Sequence, residues 1–137
     1  RKSYNYTKGQ SMKRIIISIG VIIAAFSIAF TGFFLVDKKC KELELNLAKI
    51  CNISQQNNTE KAIALSDETV ELWEDVHDTI ESFIRHEETD KLEETIKSLP
   101  VYARQGNMER LEQQADLAID ELHHLIRSEK PLLSNIF

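Results

Sequence analysis

Hydrophobic positions fall into two regimes along this chain. From Ile15 to Val36 the sequence reads IIISIGVIIAAFSIAFTGFFLV, an apolar run without a charged residue. At about 1.5 Å of rise per residue, such a run spans the roughly 30 Å of a bilayer's hydrocarbon core. It exceeds the roughly 7–15 apolar residues of a signal peptide, so it reads as an uncleaved anchor. Cleavage after Ser27-Ile28-Ala29 would leave FTGFFLV exposed. A lipobox is also missing, since Cys40 follows Asp37-Lys38-Lys39.

Beyond Val36 the apolar residues recur at the helical period. Cys40, Leu43, Leu47, Ile50 and Cys51 share one face, predicting that the helix continues from Lys38 to Ser54. Residues 55–59, QQNNT, form a polar break, with Asn58 or Thr59 as the next N-cap. A second helix is expected from about Glu60 to Arg85, with Ala62, Trp73, Val76, Ile80, Phe83 and Ile84 inward. A third runs from about Asp90 to Arg104, burying Leu92, Ile96, Leu99 and Ala103, and Pro100 should kink or split it. Gln105-Gly106-Asn107 marks a boundary, Gly closing one helix and Asn capping the next. A fourth runs from Met108 to about Arg127, with Met108, Leu111, Ala115, Ala118, Leu122, Leu125 and Ile126 inward. Pro131 is expected to stop it, and the apolar tail Leu132–Phe137 to dock on the bundle. Strand alternation, internal repeats and low-complexity runs are not apparent. The expected fold is all-α: one N-terminal transmembrane helix continuing into a small soluble antiparallel bundle of three to four helices, with Trp73 as its core anchor. Met12, followed by Lys13-Arg14, reads as the natural start. Residues 1–11 are then an upstream extension outside fold reasoning, 12–36 the anchor, and 37–137 the bundle.

Charge sharpens this division. Residues 1–36 carry five basic residues (Arg1, Lys2, Lys8, Lys13, Arg14) and no acid, so all 22 acids lie in the bundle segment. That acidic balance argues against nucleic-acid binding, which needs Lys and Arg against phosphate. Lys13 and Arg14 face Lys38, Lys39 and Lys41 across the span, so the positive-inside rule is nearly balanced. A short leading tail and a long following segment favour N-in, C-out in the cell membrane.

Candidate chemistry is sparse. Glu74-Asp75-Val76-His77 and Glu121-Leu122-His123-His124 match the Glu-x-x-His spacing of di-metal bundles. With Leu122 facing the core, however, His124 lies about 200° away and Glu121 about 100° away. On the second helix His77 borders the stripe while Glu74 lies off it. His77 and Glu74 are therefore weak metal candidates, and no metal or cofactor is expected. Phosphate loops, G-x-S-x-G and H-E-x-x-H are missing, and the chain reads as non-enzymatic. Cys40 and Cys51 lie about 16 Å apart along one helix, too far for an intrachain bridge. Both read as small apolar residues, with an intermolecular bridge as the alternative. Asn52-Ile53-Ser54 and Asn57-Asn58-Thr59 are sequons that matter only in a eukaryotic secretory setting.

A continuous helix would align Ser18, Ala25, Ala29 and Gly32 with Val36, Cys40, Leu43, Leu47 and Ile50. Small residues let membrane helices approach closely, so this face is the candidate interaction surface. The plainer alternative is that each half packs locally. His86-Glu87-Glu88-Thr89-Asp90 is read as a corner, with Thr89 or Asp90 capping the third helix and Asp90-Lys91-Leu92-Glu93 resembling a capping box. Glu87 is the polar candidate there, on the condition that it is buried with a basic partner such as Arg104.

Three stretches carry a resemblance: MKRIIISIGVIIAAF, LWEDVHDTIESFIRHEETDKLEETIKSL and the closing EKPLLSNIF. From Met12 to Phe137 the chain resembles domain of unknown function 4363, a family of short single-pass membrane proteins of Gram-positive bacteria. Its members are often encoded beside polytopic membrane proteins of domain of unknown function 421. The resemblance implies a membrane protein acting as an accessory subunit, and supplies no activity or catalytic residue. The expected function is protein–protein contact by an extracytoplasmic helical domain. The alternatives are a metal- or small-molecule-binding bundle and a structural homodimer.

Overall fold

The computed structural model describes residues 6–81 and 86–134, with side chains from Met12 to Arg127 apart from Phe33 and residues 82–85. The described residues fold into α1 (Tyr6–Gln55), α2 (Thr59–Glu81), α3 (His86–Arg104) and α4 (Met108–Ser134), with no strand among them. The chain forms two compact units, dividing between Leu35 and Val36.

The first unit is the apolar part of α1. Ile16, Phe26, Ile28 and Phe30 are each more than 65% exposed. The helix is long and apolar enough, by length and composition, to cross a membrane. Its hydroxyls meet their own backbone: Ser18, Ser27 and Thr31 each donate to the carbonyl four residues earlier, at 2.8–2.9 Å. This satisfies them without water, as a hydrocarbon medium requires.

The second unit is a helical bundle. Its core takes Cys40, Leu43, Leu47 and Ile50 from α1, and Ala62, Leu72, Trp73, Val76 and Ile80 from α2. Leu92, Ile96, Leu99 and Ala103 come from α3, and Met108, Leu111, Ala115, Ala118, Leu122 and Leu125 from α4. These are the stripes that the 3.6-residue period predicts, with Leu72 added and with Cys51 and Ile126 only half-buried at their edges. Phe83, Ile84 and the closing residues 135–137 lie outside the described residues.

Two corners share one construction. At the end of α1, Asn57 adopts φ 53°. Asn57 N–H donates to the Ser54 carbonyl and Asn58 N–H to the Ile53 carbonyl. At the end of α3, Gly106 adopts φ 68°. There Gly106 N–H donates to Ala103 and Asn107 N–H to Tyr102. Both are Schellman closures, in which a left-handed residue turns the chain back onto its last free carbonyls. The following asparagine then caps the next helix, Asn58 Oδ1 accepting from Lys61 N–H and Asn107 Oδ1 from Arg110 N–H, both at 3.1 Å.

These corners expose an internal repeat that the sequence pattern alone did not suggest. QNNTEK (56–61) lies over QGNMER (105–110). Sliding the chain so that Gln56 overlies Gln105 places Cys40 on Thr89, Leu43 on Leu92, Leu47 on Ile96 and Ile50 on Leu99. In the second helices it places Ala62 on Leu111, Ser66 on Ala115, Trp73 on Leu122 and Val76 on Leu125. Both members of every one of these pairs are buried. The bundle is thus two equivalent helical hairpins, α1–α2 (from Val36) and α3–α4.

Three expectations need correction. α3 begins at His86 rather than Asp90, and Thr89 is a fully buried inward residue rather than a cap. It takes the register of Cys40, so the third helix's stripe simply starts one turn earlier. Pro100 does not split α3, which continues to Arg104 with the Pro ring buried. One helical hydrogen bond is forgone there, and burial of the ring offsets it. Pro131 does not stop α4, which extends to Ser134.

Candidate functional site: the two seams between the hairpins

The hairpins meet along two seams, α1 against α4 and α2 against α3, and polar side chains concentrate there. On the α1–α4 seam, His123 Nε2 lies 2.7 Å from Glu44 Oε1. Near the corner, Gln55 Nε2 donates to Glu112 Oε1 at 2.7 Å. Between them, the Cys51 thiol donates to Asp116 Oδ1 at 3.3 Å. Burial, followed by the hydrogen bond to Asp116, pushes this thiol up to about 12. A thiolate is the reactive form of cysteine, so this environment lowers the reactivity of the Cys51 thiol.

The α2–α3 seam repeats the layout. Glu93 takes the register of Glu44, and its Oε2 lies 3.0 Å from His77 Nε2. Glu81 Oε1 approaches the same nitrogen at 3.2 Å, although neither contact has hydrogen-bond alignment. The Lys97 ammonium bonded to Glu93 holds its carboxyl below the usual range, with His77 acting in the same direction. His86 Nδ1 lies 3.4 Å from Glu81. The Trp73 ring meets His77 edge-on, with centroids 5.6 Å apart. Toward the corner, Arg104 takes the register of Gln55 and donates to both carboxylate oxygens of Asp67, at 2.7 and 2.8 Å. Each seam therefore carries a Glu–His contact at one end and a side chain reaching a carboxylate at the other.

The sequence-derived candidates distribute unevenly over this arrangement. His77 belongs to a seam, but its carboxylate neighbours are Asp78, Glu81 and Glu93; Glu74 is exposed. His124 is exposed, as its phase predicts, and Glu121 is half-buried. Among the described residues, no group of three or more His, Cys, Asp or Glu is placed to hold a metal ion. Glu87 is exposed, so the condition for a site there is not met, and Arg104 bonds to Asp67 instead. Counting from Leu92, an inward residue, Glu87 points well off the core face.

The proposed interaction face divides. Cys40, Leu43, Leu47 and Ile50 are buried within the bundle's own core, so this half is not an outer surface. Ser18, Ala25 and Ala29 are exposed on the apolar segment, while Gly32 and Val36 are partly covered. Ser27, Ile28, Thr31, Gly32 and Leu35 line a shallow open groove there. Sequence reasoning missed the seam residues Glu44, Glu93 and Asp67. Only the QNNTEK/QGNMER repeat could have placed Glu44 and Glu93 in a common register.

Fold and seams together define an all-α protein, a two-hairpin bundle on a chain with one membrane-length apolar helix. The chain belongs to the DUF4363 family: the model described as "Domain of unknown function (DUF4363)" matches residues 30–136. No curated protein and no solved structure matches it.

Proposed function

We propose that this protein is a non-catalytic, single-pass membrane protein whose helical domain, outside the cytoplasm, works by contact with another protein. Its partner in this reading is a polytopic membrane protein, of the kind that the family resemblance implies, for which it serves as an accessory subunit. The observation that carries the reading is the distribution of exposed apolar side chains. Among the described side chains, those on the bundle are Leu45, Val101 and Leu117; the other large ones fall between Met12 and Leu35. Among the described side chains, most of the bundle's apolar residues are spent on its own core, and most of those left for lipid or for another helix lie in the apolar segment. Ala25, Ala29 and Gly32 supply the small residues that let a second helix approach. Replacing all three with Leu should reduce co-purification of a polytopic membrane protein from native membranes several-fold, with the bundle's helical content unchanged. Undiminished recovery would remove the apolar segment from the contact.

A further inference from the structure

The internal repeat supplies a standard within the molecule, because the buried Ala62, Ser66, Thr69, Trp73 and Val76 of α2 have buried counterparts on α4. Ser66, Thr69, Trp73 and His77 stand on α2 where α4 presents Ala115, Ala118, Leu122 and Ile126. α2 thus carries polar atoms at four inward positions where α4 is aliphatic. Thr69 disposes of its hydroxyl by donating to the Leu65 carbonyl at 2.6 Å. Ser66 and Trp73 do not: both residues are 0% exposed, and Ser66 Oγ and Trp73 Nε1 are buried without a hydrogen-bond partner. His77 Nε2 is buried against two carboxylates without alignment to either. The corresponding orphan on α4 is Glu121 Oε2. Glu121 is a half-buried rim residue in the register of Leu72, and its carboxylate recovers water by a side-chain rotation. Ser66 and Trp73 recover water only if α2 itself moves.

We infer that α2 is the movable wall of the bundle, a helix that separates locally from α1 and α3 while α4 stays packed. An unmet buried donor raises the free energy of the closed state and not of the open one, where water satisfies it. Two such donors on one helix, with none at the matching positions of its counterpart, direct opening to that helix. Opening uncovers Trp73 and the face that α1 and α3 turn toward α2.

Hydrogen–deuterium exchange of the full chain in lipid nanodiscs tests this. Peptides within 62–80 should exchange at least tenfold faster than peptides within 111–125. Ser66→Ala, which imports the residue found at 115, should slow α2 exchange by about tenfold and leave α4 unchanged. The reciprocal Ala115→Ser should speed exchange in α4. Acrylamide quenching of Trp73, the sole tryptophan, should fall in Ser66→Ala. Equal protection of α2 and α4, or a uniform slowing of all helices by Ser66→Ala, would overturn the inference, since opening would then be global.

Discussion

Replacing Gly106 with Ala isolates the backbone term of one corner. Gly106 sits at φ 68°, and a Cβ built there meets nothing within 4 Å. Side-chain crowding therefore contributes nothing, and the cost is that of holding a non-glycine residue in the left-handed region, about 1–2 kcal/mol. Restricting the unfolded chain returns about 0.4–1 kcal/mol. The net loss should be about 1 kcal/mol. Gly106→Asn should cost less, because Asn57 already holds the equivalent position at φ 53° and Asn tolerates this conformation. Trp73 is the only tryptophan and is fully buried, so its fluorescence reports the bundle directly. In a urea titration of the full chain in micelles, with a slope of roughly 1–2 kcal/mol per molar, Gly106→Ala should lower the midpoint by about 0.5–1 M. An unchanged midpoint would refute the backbone argument. So would a loss above about 3 kcal/mol, which would demand a contact, or an Asn variant less stable than the Ala variant.

Two further predictions concern protonation. The Cys51 thiol, raised from 9.0 to about 12, should alkylate far more slowly at pH 8 than in the unfolded chain, and Asp116→Asn should accelerate it. Because the folded state holds the neutral thiol, its contribution to stability is intact below about pH 9 and fades as pH climbs toward 12, so the urea midpoint should drop across that window. Glu93, held below the usual carboxylate range chiefly by Lys97, should titrate in carboxyl NMR at lower pH than exposed glutamates, and Lys97→Met should move it upward. Its depressed value stabilises the fold above about pH 4.5 and is lost as acidification passes the native midpoint. Lys97→Met should therefore lose less stability on acidification than the parent chain.

The inward stripes were readable from the sequence because burial enforces a 3.6-residue period whatever the side chain's identity. The cap at Asn107 was equally clear, since Gly followed by Asn is the local chemistry of a Schellman closure. Thr89 misled because a small polar residue near an acidic cluster looks like a cap. Its register with Cys40 is visible only once the repeat is known. Pro131 misled because a proline removes one hydrogen bond and does not by itself end a helix. The repeat stayed hidden because identities are few: away from the corner Leu43 and Leu92, Glu44 and Glu93, and Asp67 and Asp116 match, while elsewhere burial recurs without identity, as with Asn46 and Thr95 or Trp73 and Leu122. The seam pairs depend on how neighbouring helices are rotated, which a single chain's pattern does not encode, so the pairing of Arg104 with Asp67 was not legible. Cys40, Leu43, Leu47 and Ile50 share a face of α1, and packing assigned that face to the protein's own interior.

Asn58 and Asn107 each finish one helix and begin the next, so neither corner contains a spacer. A single inserted residue would separate the stopping bond from the starting one. If the cap re-formed with its new neighbour, the helix behind it would turn by about 100° about its own axis. At the first corner that rotation swings Trp73 out of the interior, and at the second it does the same to Leu122. Each hairpin therefore has a quantised length, and single-residue insertions or deletions at these two points should be absent from folded variants of the chain.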